Sequence, residues 1–290
     1  MAHLAERAHA KVNLTLRVLG RRPDGYHELE SLVAFAEAAD ELVLLPGEPL
    51  SLDVEGPTAG FTGEPDQNLV LKAARALAAR AENLVLGRFR LTKRLPVAAG
   101  LGGGSADAAA ALRLLARVNS IARNDPRLID AARATGADVP VCLDPRARVM
   151  RGVGEILSAP LDLPDTFALL VNPGVEVSTR EVFAALRAPV VPAGVAAAAA
   201  PAFASRSDFF EWLARDGNDL EAAAVAIAPA VAEVLDVLRV LPGVRLARMS
   251  GSGATCFALF ETREAAATAA GQLADARPAW WTRATRLGSG

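Results

Sequence analysis

Cysteine is almost missing from this 290-residue chain: there are two, Cys142 and Cys256, each inside an apolar run. That excludes a disulfide framework and any CxxC metal site, and it predicts two small core residues of a reduced, cytoplasmic setting. An excess of charge of one sign is missing too. With 31 Lys and Arg against 33 Asp and Glu, the net charge is -2, so no basic field recruits nucleic acid. The basic pair in "GRRPDG" is followed at once by Asp24 and reads as a solvated turn. Long apolar runs are lacking as well. The uncharged stretch from Ala188 to Ser205, "APVVPAGVAAAAAPAFAS", is broken by three prolines and a glycine. It reads as an alanine-rich surface connection, with no membrane partner expected. The opening "MAHLAERAHAK" carries no apolar segment, so no signal peptide is expected.

What is present begins with a period of two. In "AHAKVNLTLRVLG", Ala10, Val12, Leu14, Leu16 and Val18 share one face, and Lys11, Asn13, Thr15 and Arg17 share the other. This predicts a half-buried strand with a polar second face. "YHELESLVAF" and "DELVLLPG" read as two further strands, and "DQNLVLKAARALAARA" as a helix. "GRFRLTKRLP" reads as a strand ended by Pro96. A helix follows with Ala108, Ala111, Leu112, Leu115 and Val118 inward and Arg113 and Arg117 outward. "DPRLIDAARATG" is a helix ended by Gly136, and "ADVPVCL" leads into a strand. Beyond it, "FALLVNPG" is a strand and "STREVFAAL" a short helix capped by Ser178 or Thr179. "NDLEAAAVAIAPAVAEVLDVLRVL" reads as one long helical stretch. "VRLARMSGSGATCFALF" places two strands around a glycine loop, and a helix and a closing strand, "AWWTRATRL", end the chain. Mixed runs of strands and helix pairs predict an α+β protein.

The densest glycine cluster, "LPVAAGLGGGSADAAAALRLL", holds Gly100, Gly102, Gly103 and Gly104 just before a helix. Glycine there costs backbone order. What it permits is close approach of an anion to free N–H groups at the positive end of a helix dipole. Ser105 adds a hydroxyl near the cap. The plain alternative is a tight turn with close packing. A Walker loop is excluded because no lysine follows, and a dinucleotide fingerprint because position 105 is serine.

The stretch "LPVAAGLGGGSADAA" resembles the phosphate-binding motif of the GHMP kinases. "AKVNLTLRVLGRRPDGYHELESL" is similar to one branch of them, the 4-diphosphocytidyl-2-C-methyl-D-erythritol kinases of non-mevalonate isoprenoid synthesis. "TGADVPVCL", "GVGEIL" and "MSGSGATCFALF" match further motifs of that branch in the same order. The resemblance covers most of the chain and weakens between about Leu186 and Leu246. It implies a two-lobed α+β fold with the active site in the cleft between lobes, and a domain border near residue 151, giving 1–151 and 152–290. The implied reaction transfers the γ-phosphate of ATP, with Mg2+, to the 2-hydroxyl of the cytidine-diphosphate sugar alcohol.

The same resemblance assigns roles. Asp138 is the expected proton acceptor, and Lys11 is expected to hold Asp138 and the substrate hydroxyl. Taken alone, Asp138 would read as a turn aspartate and Lys11 as a solvated charge. Asn13 shares the face of Lys11 and is expected to orient the hydroxyl. Gly100, Gly102, Gly103, Gly104 and Ser105 are expected around the ATP phosphates, with Ser105 a candidate Mg2+ contact. Asn68 and Lys93 are expected near the adenosine; by themselves they read as a helix cap and a surface lysine. Tyr26 (the only tyrosine) and His27 are expected to take the cytosine, with Phe183 on its other face and Thr179 beside it. Gly251, Ser252 and Gly253 form a second glycine loop, which alone would be a hairpin turn. Two departures stand out: Ala106 replaces a second serine, and Pro145-Arg146 replaces a small glycine turn. The open alternatives are a homoserine- or mevalonate-type kinase and a non-catalytic nucleotide-binding protein.

Overall fold

A computed structural model describes residues 4–64, 67–191 and 200–288. The central part of the alanine-rich connection, residues 192–199, lies outside them. Strands β1 (Leu4–Asn13), β2 (Arg17–Arg21), β3 (His27–Pro46) and β4 (Ser51–Glu55) open the chain. Then come α1 (Leu69–Ala78), β5 (Gly87–Thr92), α2 (Gly103–Val118), α3 (Pro126–Thr135) and α4 (Val139–Cys142). β6 (Arg148–Gly152), β7 (Ile156–Leu157), β8 (Thr166–Asn172), α5 (Thr179–Ala185) and α6 (Arg206–Arg215) follow. The remainder is α7 (Glu221–Ile227), α8 (Ala230–Arg239), β9 (Leu246–Met249), β10 (Cys256–Phe260), α9 (Arg263–Ala276) and β11 (Trp281–Gly288). None of the helices among the described residues is long and apolar enough to cross a membrane.

The chain folds into two compact units, and the division is interleaved. The first comprises Met1–Ala10, Ala39–Val97 and Gly102–Pro145; the second comprises Lys11–Ala38, Ala98–Leu101 and Arg146–Gly290. A single border at residue 151 does not describe them, because residues 11–38 belong with the C-terminal half.

In the first unit, β5 pairs antiparallel with the end of β3 and parallel with β4. Leu42, Leu44, Phe89 and Leu91 are buried there. α1, α2 and α3 pack on one another, because each carries an apolar stripe at helical spacing: Val70, Ala73, Ala74 and Leu77 on α1; Ala108 to Leu112 and Leu115 on α2; Leu128, Ala131 and Ala132 on α3. Asn68 and Asp125 cap α1 and α3 by accepting N–H groups of their first turns, and Pro126 opens α3.

In the second unit, the first part of β3 pairs with β2, β6 and β11, and the antiparallel ladder continues through β8, β10 and β9. α8 and α9 cover β8 to β11. Val171, Val234, Leu238, Met249, Cys256, Phe260 and Leu273 are among the core residues between those layers.

Five local readings change. The one strand expected across "AHAKVNLTLRVLG" is interrupted after Asn13, and β2 starts only at Arg17. β3 is one strand of 20 residues where two were expected. No glycine or proline interrupts "AEAAD", and Asp40 turns inward to buried partners rather than making a turn. "DVPVC" is the short helix α4 with proline in its first turn, and the strand starts only at Arg148. The long helical stretch breaks into α7 and α8 at Ala228-Pro229, where proline cannot supply an N–H. Arg113 is not outward: it is buried in the first unit, donating to the carbonyls of Cys142 and Arg7 and pairing with Glu6.

Candidate active site

The glycine cluster divides between the two units, and its members are glycine for different reasons. Gly102 caps α2 in the left-handed region, φ 60°. Gly100 also has positive φ, 76°, and a Cβ there would lie 2.3 Å from the Ser250 carbonyl oxygen. Both are demanded by the protein's own backbone. Gly103 and Gly104 are not. Neither has positive φ, and an added Cβ would meet only ordinary contacts, 3.5 Å to Lys93 Nζ and 3.4 Å to a Leu69 methyl. Neither internal packing nor backbone conformation therefore requires glycine at these two positions. The first bond inside α2 runs from the Ala106 N–H to the Gly102 carbonyl. The N–H groups of Gly103, Gly104 and Ser105 thus lack acceptors within the helix, which is the arrangement that receives an anion.

Asn68 opens α1, its side chain accepting the Val70 N–H at 3.0 Å; the cap reading holds. Lys93 is no surface lysine. It is 3% exposed, and its ammonium donates to Asp40 at 2.5 Å and to Asp107 at 2.8 Å. Burial works against that charge, yet the two carboxylates outweigh it and hold Lys93 above its ordinary range. Burial pushes Asp107 up to about 7, with Lys93 pulling it back and Asp40 pushing it further. Sequence reading missed Asp40 and Asp107; the available signal was a carboxylate inside an apolar stretch, on β3 and among the alanines of α2. Asp138 stands half-buried at the N-terminal end of α4. Arg113 holds the other end of that helix through the Cys142 carbonyl at 2.7 Å.

The second unit gathers Lys11, Asn13, Gly100 and the second glycine loop. Lys11 and Asn13 are 4% and 1% exposed, so the polar face of β1 is buried rather than solvated. Lys11 donates its ammonium to Asn13 Oδ1 at 3.0 Å, and Asn13 Nδ2 donates to Ser31 Oγ at 2.7 Å. The Lys11 N–H bonds the Leu101 carbonyl at 2.8 Å. Gly251 and Gly253 have φ 57° and 87°, and a Cβ on Gly251 would crowd the Gly100 carbonyl at 3.1 Å. Asn218 donates to the Met249 and Gly251 carbonyls, fixing the loop from below.

Tyr26 ends the tight loop between β2 and β3. Arg22 donates its N–H to the Tyr26 carbonyl at 2.7 Å, and Gly25 takes φ 91°. Tyr26 is 64% exposed. The rings of His27 and Phe183 stack at 4.8 Å between centroids. Burial, then the nearby Arg21 charge, holds His27 below its ordinary range and so neutral at pH 7. α5 also carries Thr179, whose hydroxyl lies 2.7 Å from that of Ser252. One helix thus presents Phe183 to His27 and Thr179 to the second glycine loop. Among the described residues no group of three or more His, Cys, Asp or Glu could hold a metal.

Two family models match the chain: the GHMP kinases N terminal domain over residues 68–144 and the GHMP kinases C terminal over residues 199–279. A 4-diphosphocytidyl-2-C-methyl-D-erythritol kinase of Methylorubrum extorquens is 56% identical, covering 99% of this chain and 100% of its own length. One from Rhodopseudomonas palustris is 57% identical, covering 98% and 97%. A crystal structure of 4-(cytidine 5'-diphospho)-2C-methyl-D-erythritol kinase superposes with a TM-score of 0.76 at 37% identity, covering 99% of this chain and all of that one. A homoserine kinase from Cytophaga hutchinsonii shares the fold, with a TM-score of 0.67 at 18% identity, covering 100% of this chain and 96% of that one. By its motifs, its fold and its full-length likeness to these relatives, the chain belongs to the 4-diphosphocytidyl-2-C-methyl-D-erythritol kinase family of the GHMP kinases.

Proposed function

We propose that this protein transfers the γ-phosphate of ATP to the 2-hydroxyl of 4-diphosphocytidyl-2-C-methyl-D-erythritol, giving the 2-phosphate and ADP. The observation that carries the reading is the pair Gly103 and Gly104, bare at a helix N-terminus where neither packing nor φ requires glycine. The relatives supply the substrate class, and the exposed Tyr26 beside the His27–Phe183 stack supports it.

Phosphoryl transfer needs in-line placement, charge stabilisation and a destination for one proton. The 2-hydroxyl oxygen forms the new bond to phosphorus as the bond from phosphorus to the β-phosphate oxygen breaks, and the hydroxyl proton passes to the Asp138 carboxylate. Lys11 favours the developing alkoxide by its charge, and Asn13 orients both by holding the ammonium. The N–H groups of Gly103, Gly104 and Ser105 grip the phosphates, with Asn68 and Lys93 flanking that side. Gly251, Ser252 and Gly253 form the second glycine loop, which Ser252 ties to Thr179. Tyr26 and Phe183 sandwich the cytosine, whose edge is read beside His27. The Ser105 hydroxyl is the protein oxygen that would contact a magnesium ion carried by the polyphosphate. When bound, that ion neutralises phosphate charge. The two buried thiols, both free, suit a reducing cytoplasm.

The test is magnesium- and ATP-dependent ADP release with 4-diphosphocytidyl-2-C-methyl-D-erythritol, homoserine and mevalonate offered in parallel. Turnover with the cytidine compound alone is expected. Turnover with another alcohol would keep the kinase and discard the Tyr26 site, and silence with all three from a protein that binds ATP would discard catalysis.

A further inference from the structure

The segment between β5 and the glycine loop hangs on one buried carboxylate. Asp40, 1% exposed on β3, accepts three hydrogen bonds: Arg94 N–H at 2.5 Å and Leu95 N–H at 2.9 Å on one oxygen, and the Lys93 ammonium at 2.5 Å on the other. Lys93 passes the connection on to Asp107, in the second turn of α2, at 2.8 Å. Its Nζ lies 3.5 Å from where a Cβ of Gly103 would stand, directly behind the first residue of that helix. A separate tie, Thr58 Oγ to the Leu95 carbonyl at 2.8 Å, fixes the same segment from the other side.

Stability does not account for this cluster. A buried ion cluster is commonly no better than well-packed apolar side chains of similar volume, and Asp107 Oδ1 is left without any hydrogen-bond partner. Nor does Lys93 bring a net positive field to a phosphate, since two carboxylates surround its one ammonium. What the cluster does supply is position. It sets three consecutive residues and the start of α2 relative to one rigid strand, and gripping sites work only when donors are held to within about 0.5 Å.

We propose that Asp40 is a positioning residue for the phosphate loop, acting through Lys93, Arg94 and Leu95 to set the register of the α2 N-terminus. The proposal rests on the reading above that this loop binds ATP.

Calorimetric titration with ATP and, separately, with cytidine monophosphate tests it on the wild type and on Asp40→Asn. The expected result is at least a tenfold loss of ATP affinity with cytidine monophosphate affinity within twofold; in turnover, KM for ATP rises while KM for the cytidine substrate holds. A general structural role would weaken both ligands together, and that outcome overturns the proposal, as does ATP affinity within twofold of wild type. If Asp40→Asn does not fold, Asp40→Glu, which keeps the charge and displaces the three hydrogen bonds, carries the same test with the same expected split. A folded wild type that binds cytidine monophosphate but not ATP would overturn the reading of the loop itself, and this proposal with it.

Discussion

The hydroxyl of Ser250 donates to the Gly100 carbonyl at 2.9 Å while accepting the N–H of Asn13 at 3.1 Å. One fully buried side chain therefore joins both glycine loops of the second unit to the strand that carries Lys11. Ser250→Ala strands a buried N–H, which costs about 1–3 kcal/mol. Urea unfolding should show that loss, with turnover reduced at temperatures where the variant is still folded. A variant as stable as wild type would mean the N–H finds another partner.

Gly103→Ala separates packing from binding. Room for a Cβ exists, and alanine favours a helix over glycine by about 0.5–1 kcal/mol. The variant should unfold at the same or a higher temperature and yet bind ATP at least tenfold more weakly. Unchanged ATP affinity would assign the glycine to chain history rather than to phosphate approach.

Asp138→Asn keeps shape and removes the base. Turnover should fall by about 10²–10⁴, with KM for both substrates within a few-fold. Full turnover in a folded variant would sink the assignment.

Tyr26→Ala removes an exposed ring, so stability should move by no more than about 0.5 kcal/mol. KM for the cytidine substrate should rise about five- to a hundredfold, the worth of a stacking contact of about 1–3 kcal/mol, and KM for ATP should not move. If both rise together, the ring is not a base platform.

Asp107 gives stability a pH slope. Burial holds the folded carboxyl near 7 against an ordinary value of 3.8, with Lys93 and Asp40 the charged groups acting on it. Between those values the folded chain keeps a proton that the unfolded chain has released, so stability falls as pH rises from about 4 to about 7. Asp107→Asn should remove that fall, worth on the order of a few kcal/mol across the window. Parallel denaturation curves for the two proteins from about pH 4.5 to about pH 7.5 would reject it.

The elements that sequence reveals well are the ones set by local chemistry. The glycine cluster and the Asn68 cap are visible in a window of a few residues, whereas the alternation of β1 predicts a half-buried strand and both of its faces are buried from Ala10 to Asn13. The elements it hides are set by partners far along the chain. Asp40 reads as an ordinary first residue of the strand "DELVLLPG" until Lys93 and two backbone N–H groups are placed around it. Lys93 reads as solvated until Asp40 and Asp107 flank it, and Arg113 reads as outward until Glu6 and the Cys142 carbonyl meet it. For Asp40 and Lys93 a charge in step with apolar neighbours is the visible sign, and the distant counter-charge is not; for Arg113 not even that sign is visible. Pro140 misleads in the other direction, since proline in the first turn of α4 resembles the proline that ends a helix.

The interleaving of the two units has a consequence for how the protein comes into being. Asn13 and Ser250 are 237 positions apart, so the surroundings of Lys11 stay incomplete until Ser250 has left the ribosome. β3 pairs with β2 and then with β6, but Phe35 and Ala36 must wait for the end of β11 to reach them. Cutting the gene near residue 151 would part those strands from their neighbours and leave neither product with a whole second unit. Lys11 is therefore seated long after it is made, and a chain cut before Ser250 should not have its site in working order.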